Sequence, residues 1–378
     1  MNRRLAAFTV AAGCLFMAPM AGLAQLRAPT YGWNLGNTLE APAGEGTWAP
    51  KATEALIQAV AVAGFNTVRI PVAWNSHADP ATHEIDHAWM ARVKQVVDWC
   101  HARDLVVVLN SHWDRGWMEN KITAIVDPTI DARMKAYWTQ IANTFRSYDS
   151  RLLFAGANEP DVKTAGEMAT LLAYHQTFVN AVRGTGGNNT DRWLVVQGPG
   201  TDIRRTCELM HQLPDDPTPD RLIVEVHYYD PYPFTLMKAD EDWGRVAYFW
   251  GQAYHHPTRT DRNCAQGEEA WVESQFQRMH DRFVSRGIPV LLGEFGSVRR
   301  TGRPDLRGAD RKRHLGSRTH FNRTIVETAN RLGLRPVYWD DGGTDPNSFG
   351  LFRRKTARLV DRDGARALTG GAALPPPE

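Results

Sequence analysis

From residue 30 onward the chain alternates between two kinds of segment. Short, nearly continuous apolar runs recur: "YGWNLGN", "TVRIPVAW", "LVVVLNSHW", "LLFAGANEP", "WLVVQGPG", "LIVEVHYYD", "IPVLLGEFG" and "RPVYWDD", eight in all. Between them lie longer stretches of helical periodicity, such as "EALIQAVAVAG", "AWMARVKQVVDWCHARD", "ARMKAYWTQIANTFRSYD", "EMATLLAYHQTFVNAVRG" and "EEAWVESQFQRMHDRFVSRG". Glycines at 64, 184, 287 and 333 stand where these stretches stop, as helix C-terminal caps do. Apolar runs without alternation, separated by helices, predict parallel strands covered on both faces. Eight such units predict a closed (β/α)8 barrel, a TIM barrel. An open doubly wound sheet is the runner-up, but "GWNLGN" lacks the glycine spacing that fold places after its first strand.

The same runs end in an uncommon set of polar residues. In a barrel these ends share the C-terminal mouth, where chemistry in this fold is found. They are Asn37 with Glu40, Arg69, His112 followed by Trp113, Asn158 with Glu159, His227 with Tyr229, Glu294, and Trp339 with Asp340. "FAGANEP" shows the effect most clearly. Pro160 stops the fourth run, because it has no N–H and keeps Glu159 out of the helical region. Any one of these residues reads equally well as a solvated loop residue. All of them in one register do not.

The connection after the sixth run, residues 231 to 267, is long and carries Trp243, Phe249, Trp250 and Tyr254, so an ordered aromatic wall is expected there. The whole chain holds 13 Trp and 10 Tyr, which suits a groove for a flat ligand such as a carbohydrate. A formal net charge of +2 over 378 residues argues against nucleic acid or an anionic membrane as partner. "MNRR", the apolar "LAAFTVAAGCLFMA" and the small residues of "GLAQ" make residues 1–24 a signal peptide cut after Ala24, hence an exported protein, secreted or periplasmic. No later segment approaches the ~20 apolar residues of a membrane span. Residues 25–362 then form one catalytic domain and 363–378 a flexible tail. Cys100, Cys207 and Cys264 show no metal spacing; the last two have the option of pairing in an oxidising compartment. The acidic Asp340 to Asp345 loop lacks regular calcium-ligand spacing, and His255 with His256 lacks a third metal ligand. The basic stretch from Arg299 to Arg313 reads as a solvated face at a helix start.

Glu159 and Glu294 end the fourth and seventh runs, nearly opposite across a barrel mouth. Two facing carboxyls are what glycoside cleavage requires, one to protonate the leaving oxygen and one to meet the positive charge at the sugar carbon. Arg69 and the Tyr229 hydroxyl are expected to keep Glu294 ionised, while Glu159, near His227 and less cationic charge, keeps its proton. Asn158 is placed to donate to the sugar 2-hydroxyl, and Trp339 to floor the sugar ring.

Together "GWNLGNTLEAP", "GFNTVRIPVAW", "LNSHWD", "GANEP", "EVHYYDPYPF", "GEFG" and "VYWDD" resemble glycoside hydrolase family five, the cellulase family, in order over roughly residues 30 to 345. The resemblance implies that Glu159 is the acid/base and Glu294 the nucleophile. It implies supporting roles for Arg69, His112, Asn158, His227, Tyr229 and Trp339, substrate contacts for Asn37 and Glu40, and an aromatic subsite at Trp243. Many relatives carry a second histidine where Trp113 follows His112, so the glycone-side subsite differs here. The implied protein is a monomeric, retaining endo-β-1,4-glucanase acting on a β-1,4-linked polysaccharide, with no cofactor and no metal. β-Mannanase or mixed-linkage glucanase activity on the same scaffold is the alternative, and a non-catalytic polysaccharide-binding barrel the rival from another class.

Overall fold

A computed structural model describes residues 30–372 and Leu374. Its eight parallel strands are β1 (Gly32–Leu35), β2 (Thr67–Ile70), β3 (Val106–Asn110), β4 (Leu152–Ala155), β5 (Leu194–Gln197), β6 (Leu222–Tyr228), β7 (Val290–Phe295) and β8 (Leu334–Asp340). They pair in chain order, and β1 closes on β8. This is the (β/α)8 barrel expected from the apolar runs. The helices are α1 (Glu54–Val62), α2 (His87–His101), α3 (Pro128–Thr144), α4 (Ala165–Gly184), α5 (Ile203–Leu209), α6 (Tyr232–Thr235), α7 (Glu269–Arg282), α8 (Gly308–Arg331) and α9 (Arg362–Leu368). The short α5 carries too little periodicity to be legible in the sequence.

Two apolar layers hold the barrel. Inside it, Val108, Leu153, Ala155, Trp193, Val195, Ile223, Leu291 and Val337 fill the floor as a separate buried cluster. Outside, the alternate strand residues pack against the helices in one continuous core. Because side chains alternate along a strand, the inner face of β6 runs Ile223, Glu225, His227: apolar floor first, polar mouth last. The register between β6 and β7 slips by one residue, so that Glu225 opposes Leu291 but His227 opposes Glu294. That irregularity, at Gly293, re-aims Glu294 into the mouth.

Helix ends follow their sequence signals in most places. Thr164 and Glu167 form a reciprocal cap at the start of α4, and Asp86, Asp127 and Thr53 cap α2, α3 and α1. Gly64, Gly287 and Gly333 take left-handed conformations after their helices; Gly184 remains helical, and Gly186 makes that turn instead.

Several expectations are corrected. The segment from residue 363 does not begin as a loose tail. Residues 362–368 form α9, whose Gly364, Ala365, Ala367 and Leu368 are buried, and Asp361 accepts from Gly364 N–H as its cap. Small apolar residues let this helix lie close against its neighbours, a pattern too short to register as periodicity. The stretch from Arg299 to Arg313 is not wholly a solvated face: Arg300 is fully buried, donating to the carbonyls of Val298, Pro233 and Met237. The acidic loop that starts at Asp340 has its first two carboxylates engaged by protein donors. Asp340 accepts from Trp33 Nε1 at 3.0 Å and Leu351 N–H at 2.8 Å and pairs with Arg354, while Asp341 caps backbone N–H groups of Gly343 and Phe349. Cys100, Cys207 and Cys264 are all free thiols. The signal segment lies outside the described residues. No helix among the described residues is long and apolar enough to cross a membrane.

Candidate active site

The mouth is organised around Arg69, which is fully buried on β2. Its two Nη atoms donate to three side chains: Nη1 reaches Asn34 Oδ1 and Glu294 Oε1, both at 3.0 Å, and Nη2 reaches Asn158 Oδ1 at 2.8 Å. Nε lies 3.0 Å from Glu225 Oε1. A rigid planar cation is suited to this, since its fork fixes several acceptors at once. Asn34 in turn donates to the carbonyl of Gly293 at 2.9 Å, next to Glu294.

Glu294 is held at both oxygens, by Arg69 and by the Tyr229 hydroxyl at 3.0 Å. Burial pushes its carboxyl above the ordinary range, and His227 and Arg69 oppose that rise. Glu159 stands at the rim, its side chain 47% exposed against 8% for Glu294. Its Oε1 lies 2.7 Å from His227 Nδ1. One oxygen of each glutamate, with a nitrogen of His227, falls within a span of 4.8 Å.

The expected division of protons is corrected here. Burial acts to raise Glu159, yet the hydrogen bond and charge of His227, backed by Arg69, hold it below the usual range. Burial also works against a cationic His227, but Glu294 and the hydrogen bonds to Glu159 and Glu225 push it up to about 10. His227 brings more positive charge to Glu159 than the sequence suggested. Both shifts favour a charged imidazole over a protonated Glu159 in the free site.

Behind Glu159 sits a carboxyl that the sequence reading missed. Glu119 accepts the backbone N–H groups of Asn158 (2.9 Å) and Glu159 (2.8 Å) through Oε1. It is almost fully buried, and burial pushes it up to about 8. Gln197, on β5, also holds this corner, accepting from Ala157 N–H at 2.8 Å and donating to Glu225 at 2.6 Å.

The remaining expected residues divide. The rings of His112 and Trp339 lie stacked, 5.9 Å apart and nearly parallel. Burial keeps His112 well below its ordinary value, hence neutral. Gly36 touches the Trp339 ring, and a Cβ there would lie 2.8 Å from it. Trp113 is exposed beside this pair. Asn37 holds a left-handed conformation, and its N–H and that of Thr38 donate to Glu40. Glu40 is thus buried under its own loop, its carboxylate spent on backbone donors, and is not brought into the open cleft. Burial raises it to about 7.

On the Glu159 side a cavity of about 440 Å³ opens, walled by Tyr232, Trp271, Arg204, Arg278 and Gln275. Trp243 stands beyond it, 68% exposed and tilted against Tyr232 at 6.0 Å. The long loop is ordered, as expected, by its buried aromatics: Tyr248, Phe249 and Trp250 pack inward, with Trp250 N–H donating to Ser317.

With this geometry in place, the comparisons with known proteins are decisive. The family model described as Cellulase (glycosyl hydrolase family 5) matches residues 32–345. The chain belongs to glycosyl hydrolase family 5. It is 36% identical over 358 residues to a xyloglucan-specific endo-β-1,4-glucanase of Bacteroides ovatus, covering 90% of this chain and 68% of that protein. It is 33% identical over 369 residues to endoglucanase A of Paenibacillus barcinonensis, covering 90% of this chain and 87% of that one. Among solved structures, a xyloglucan-specific β-1,4-glucanase from a ruminal metagenomic library, in complex with XXLG, superposes with a TM-score of 0.83 at 39% identity, covering 93% of this chain and 96% of that chain. As a member of family 5, the chain is a glycoside hydrolase on a TIM barrel.

Two signals would have found two of the missed residues of this family-5 site. Asn34 and Glu225 interrupt apolar runs at positions that share a strand face with mouth residues. A period of two from His227 leads directly to Glu225. Glu119 has no such signal, because it lies in the loop after β3 and meets Glu159 only through the fold.

Proposed function

We propose that the chain is an exported, monomeric, retaining endo-β-1,4-glucanase, with Glu294 as nucleophile and Glu159 as acid/base. The observation that carries the reading is the approach of the two carboxylates, oxygens within 4.8 Å. Retaining enzymes set the carboxyls about 5–5.5 Å apart, whereas inversion needs about 6.5–9.5 Å to seat a water. Glu294, oriented by Arg69 and Tyr229, attacks the sugar carbon as Glu159 protonates the leaving oxygen. Glu159 then takes a proton from water, whose oxygen displaces Glu294. Asn158, fixed by Arg69, presents its amide N–H to the 2-hydroxyl. No step calls for a metal or cofactor.

The substrate we assign is the β-1,4-glucan backbone. Xyloglucan, which carries side chains on that backbone, is the specific form favoured by two xyloglucan-specific relatives and by the open, aromatic-walled cavity beside Glu159. Trp113 and Trp243, both exposed on loops that follow barrel strands, are the side chains we assign to specificity. Reducing-sugar release from carboxymethylcellulose, xyloglucan, barley mixed-linkage glucan and mannan tests the assignment. Turnover of xyloglucan and carboxymethylcellulose well above mannan supports it. Mannan as the fastest substrate would replace it with a mannanase, and binding without product on all four would leave a carbohydrate-binding barrel.

A further inference from the structure

The carboxylate of Glu225 has no part in two-glutamate chemistry, yet the site is built around it. It is fully buried on the inner face of β6, two residues before His227. Oε1 lies 3.3 Å from His227 Nε2 and 3.0 Å from Arg69 Nε, while Oε2 accepts from Gln197 Nε2 at 2.6 Å. The adjoining strand leaves room for it: a Cβ on Gly293 would fall 1.9 Å from Glu225 Oε1. A buried charge is costly unless compensated, and here one carboxylate contacts both cations of the site.

The line continues outward. Nε2–H directed at Glu225 fixes the imidazole so that Nδ1 faces Glu159 Oε1 at 2.7 Å. Resting on the acid/base reading above, we propose that Glu225 is a positioning residue which, through His227, keeps a transferable proton beside the leaving-group oxygen. In the free enzyme that proton sits on Nδ1. As the glycosidic bond breaks, the leaving oxygen takes a proton from Glu159, which takes the Nδ1 proton; Nε2 keeps its own, directed at Glu225. When water attacks, its proton returns through Glu159 to Nδ1, its hydroxyl joins the sugar carbon, and Glu294 leaves as carboxylate.

The charges facing this line are Arg69 from β2, Glu159 after β4, Glu294 from β7, Tyr229 after β6, neutral His112 after β3, and Glu119 behind Glu159. With both cations charged, Glu225, Glu159 and Glu294 ionised, and Glu119, raised to about 8, protonated below that pH, the cluster is one charge negative, so it retains the Nδ1 proton. Removing the Glu225 charge weakens that hold, leaving Glu294 and Glu159 to maintain it, and the His227–Glu159 pair, titrating as a unit, releases the proton at lower pH.

The test compares wild type with Glu225→Gln on two aryl cellobiosides, one releasing 2,4-dinitrophenol, which needs no protonation, and one releasing phenol, which does. The alkaline limb of kcat/KM should move down by roughly one pH unit. The phenyl substrate should lose roughly tenfold more at the wild-type optimum than the dinitrophenyl substrate. An unmoved alkaline limb with equal losses on both substrates would overturn the proposal. ¹⁵N NMR of His227 in the wild-type protein decides the matter if the variant does not fold. Both ring nitrogens should carry protons at pH 7.5, with Nδ1 the first to lose its own on raising the pH. A neutral ring at pH 7.5, or loss from Nε2 first, would overturn it. Wild type inert on both cellobiosides and on all four polysaccharides would instead sink the two-glutamate reading, while the NMR result still judges the Glu225–His227 line.

Discussion

The two sides of the barrel mouth present the same residue in different settings. On the β7 side Glu294 is buried and clamped at both oxygens by Arg69 and Tyr229. On the β4 side Glu159 is half exposed, its side chain touching a titratable imidazole, its backbone anchored by Glu119. A nucleophile must hold one position and stay ionised, so fixed donors suit it. An acid/base must exchange protons twice per turnover, so contact with solvent and with a proton-bearing partner suits it. On the proposed assignment, the roles of two chemically identical side chains follow from what holds them.

Breaking the β7 side should have the largest effect. Glu294→Gln keeps the shape but cannot form the glycosyl-enzyme, and kcat should fall by about 10⁴-fold or more, with the fold retained by circular dichroism. Breaking the β4 side should be milder and depend on the leaving group. Glu159→Ala should lose about 10²–10⁴-fold on polysaccharide but far less in the first step with 2,4-dinitrophenyl cellobioside. Added azide should restore turnover and yield the β-glycosyl azide. An α-azide would reverse the two roles.

Loosening the β4 side through its support should have a smaller effect. Glu119→Ala leaves the Asn158 and Glu159 N–H groups without an acceptor and should lower kcat by roughly tenfold, with a cost of about 1–3 kcal/mol in stability. Glu119→Gln, which keeps an acceptor oxygen, should retain most of both. Equal damage from the two variants would mean that the charge of Glu119, rather than its acceptor, matters.

The smallest expected effect is on stability against pH. His227 is raised in the fold above its ordinary value near 6.5, to about 10. Its contribution is therefore complete below pH ~6.5 and disappears as pH rises through about 10. The Tm of wild type should fall more steeply between pH 7 and 10 than that of His227→Asn. Parallel curves would mean that His227 holds no additional proton in the fold.

The contrast between the two sides was only partly legible in the chain. The strands and their polar ends could be read because burial on both faces forces continuous apolar runs, and a barrel gathers their C-terminal ends. The partners of Glu294 lie at strand ends, so Arg69 and Tyr229 were accessible to the same logic. Glu119 was not, since a loop residue meets Glu159 only after the chain has folded. Glu40 misled because proximity along the sequence to Asn37 resembles a cleft contact, whereas the loop folds over it and uses its carboxylate as a staple. Trp243 is in the expected loop but stands outside the cavity that Tyr232 and Trp271 wall. His227 stands beside Glu159 as expected, but its charge is favoured by Glu294, by Glu159 and also by Glu225, a carboxylate hidden in an apolar run.

The central claim is that Glu294 attacks and Glu159 handles protons, across a gap too narrow to seat a nucleophilic water. ¹H NMR of the first product formed from a cello-oligosaccharide or xyloglucan oligosaccharide, recorded before mutarotation, tests it most directly. The account predicts the β-anomer at the new reducing end. First appearance of the α-anomer would mean inversion and would contradict it.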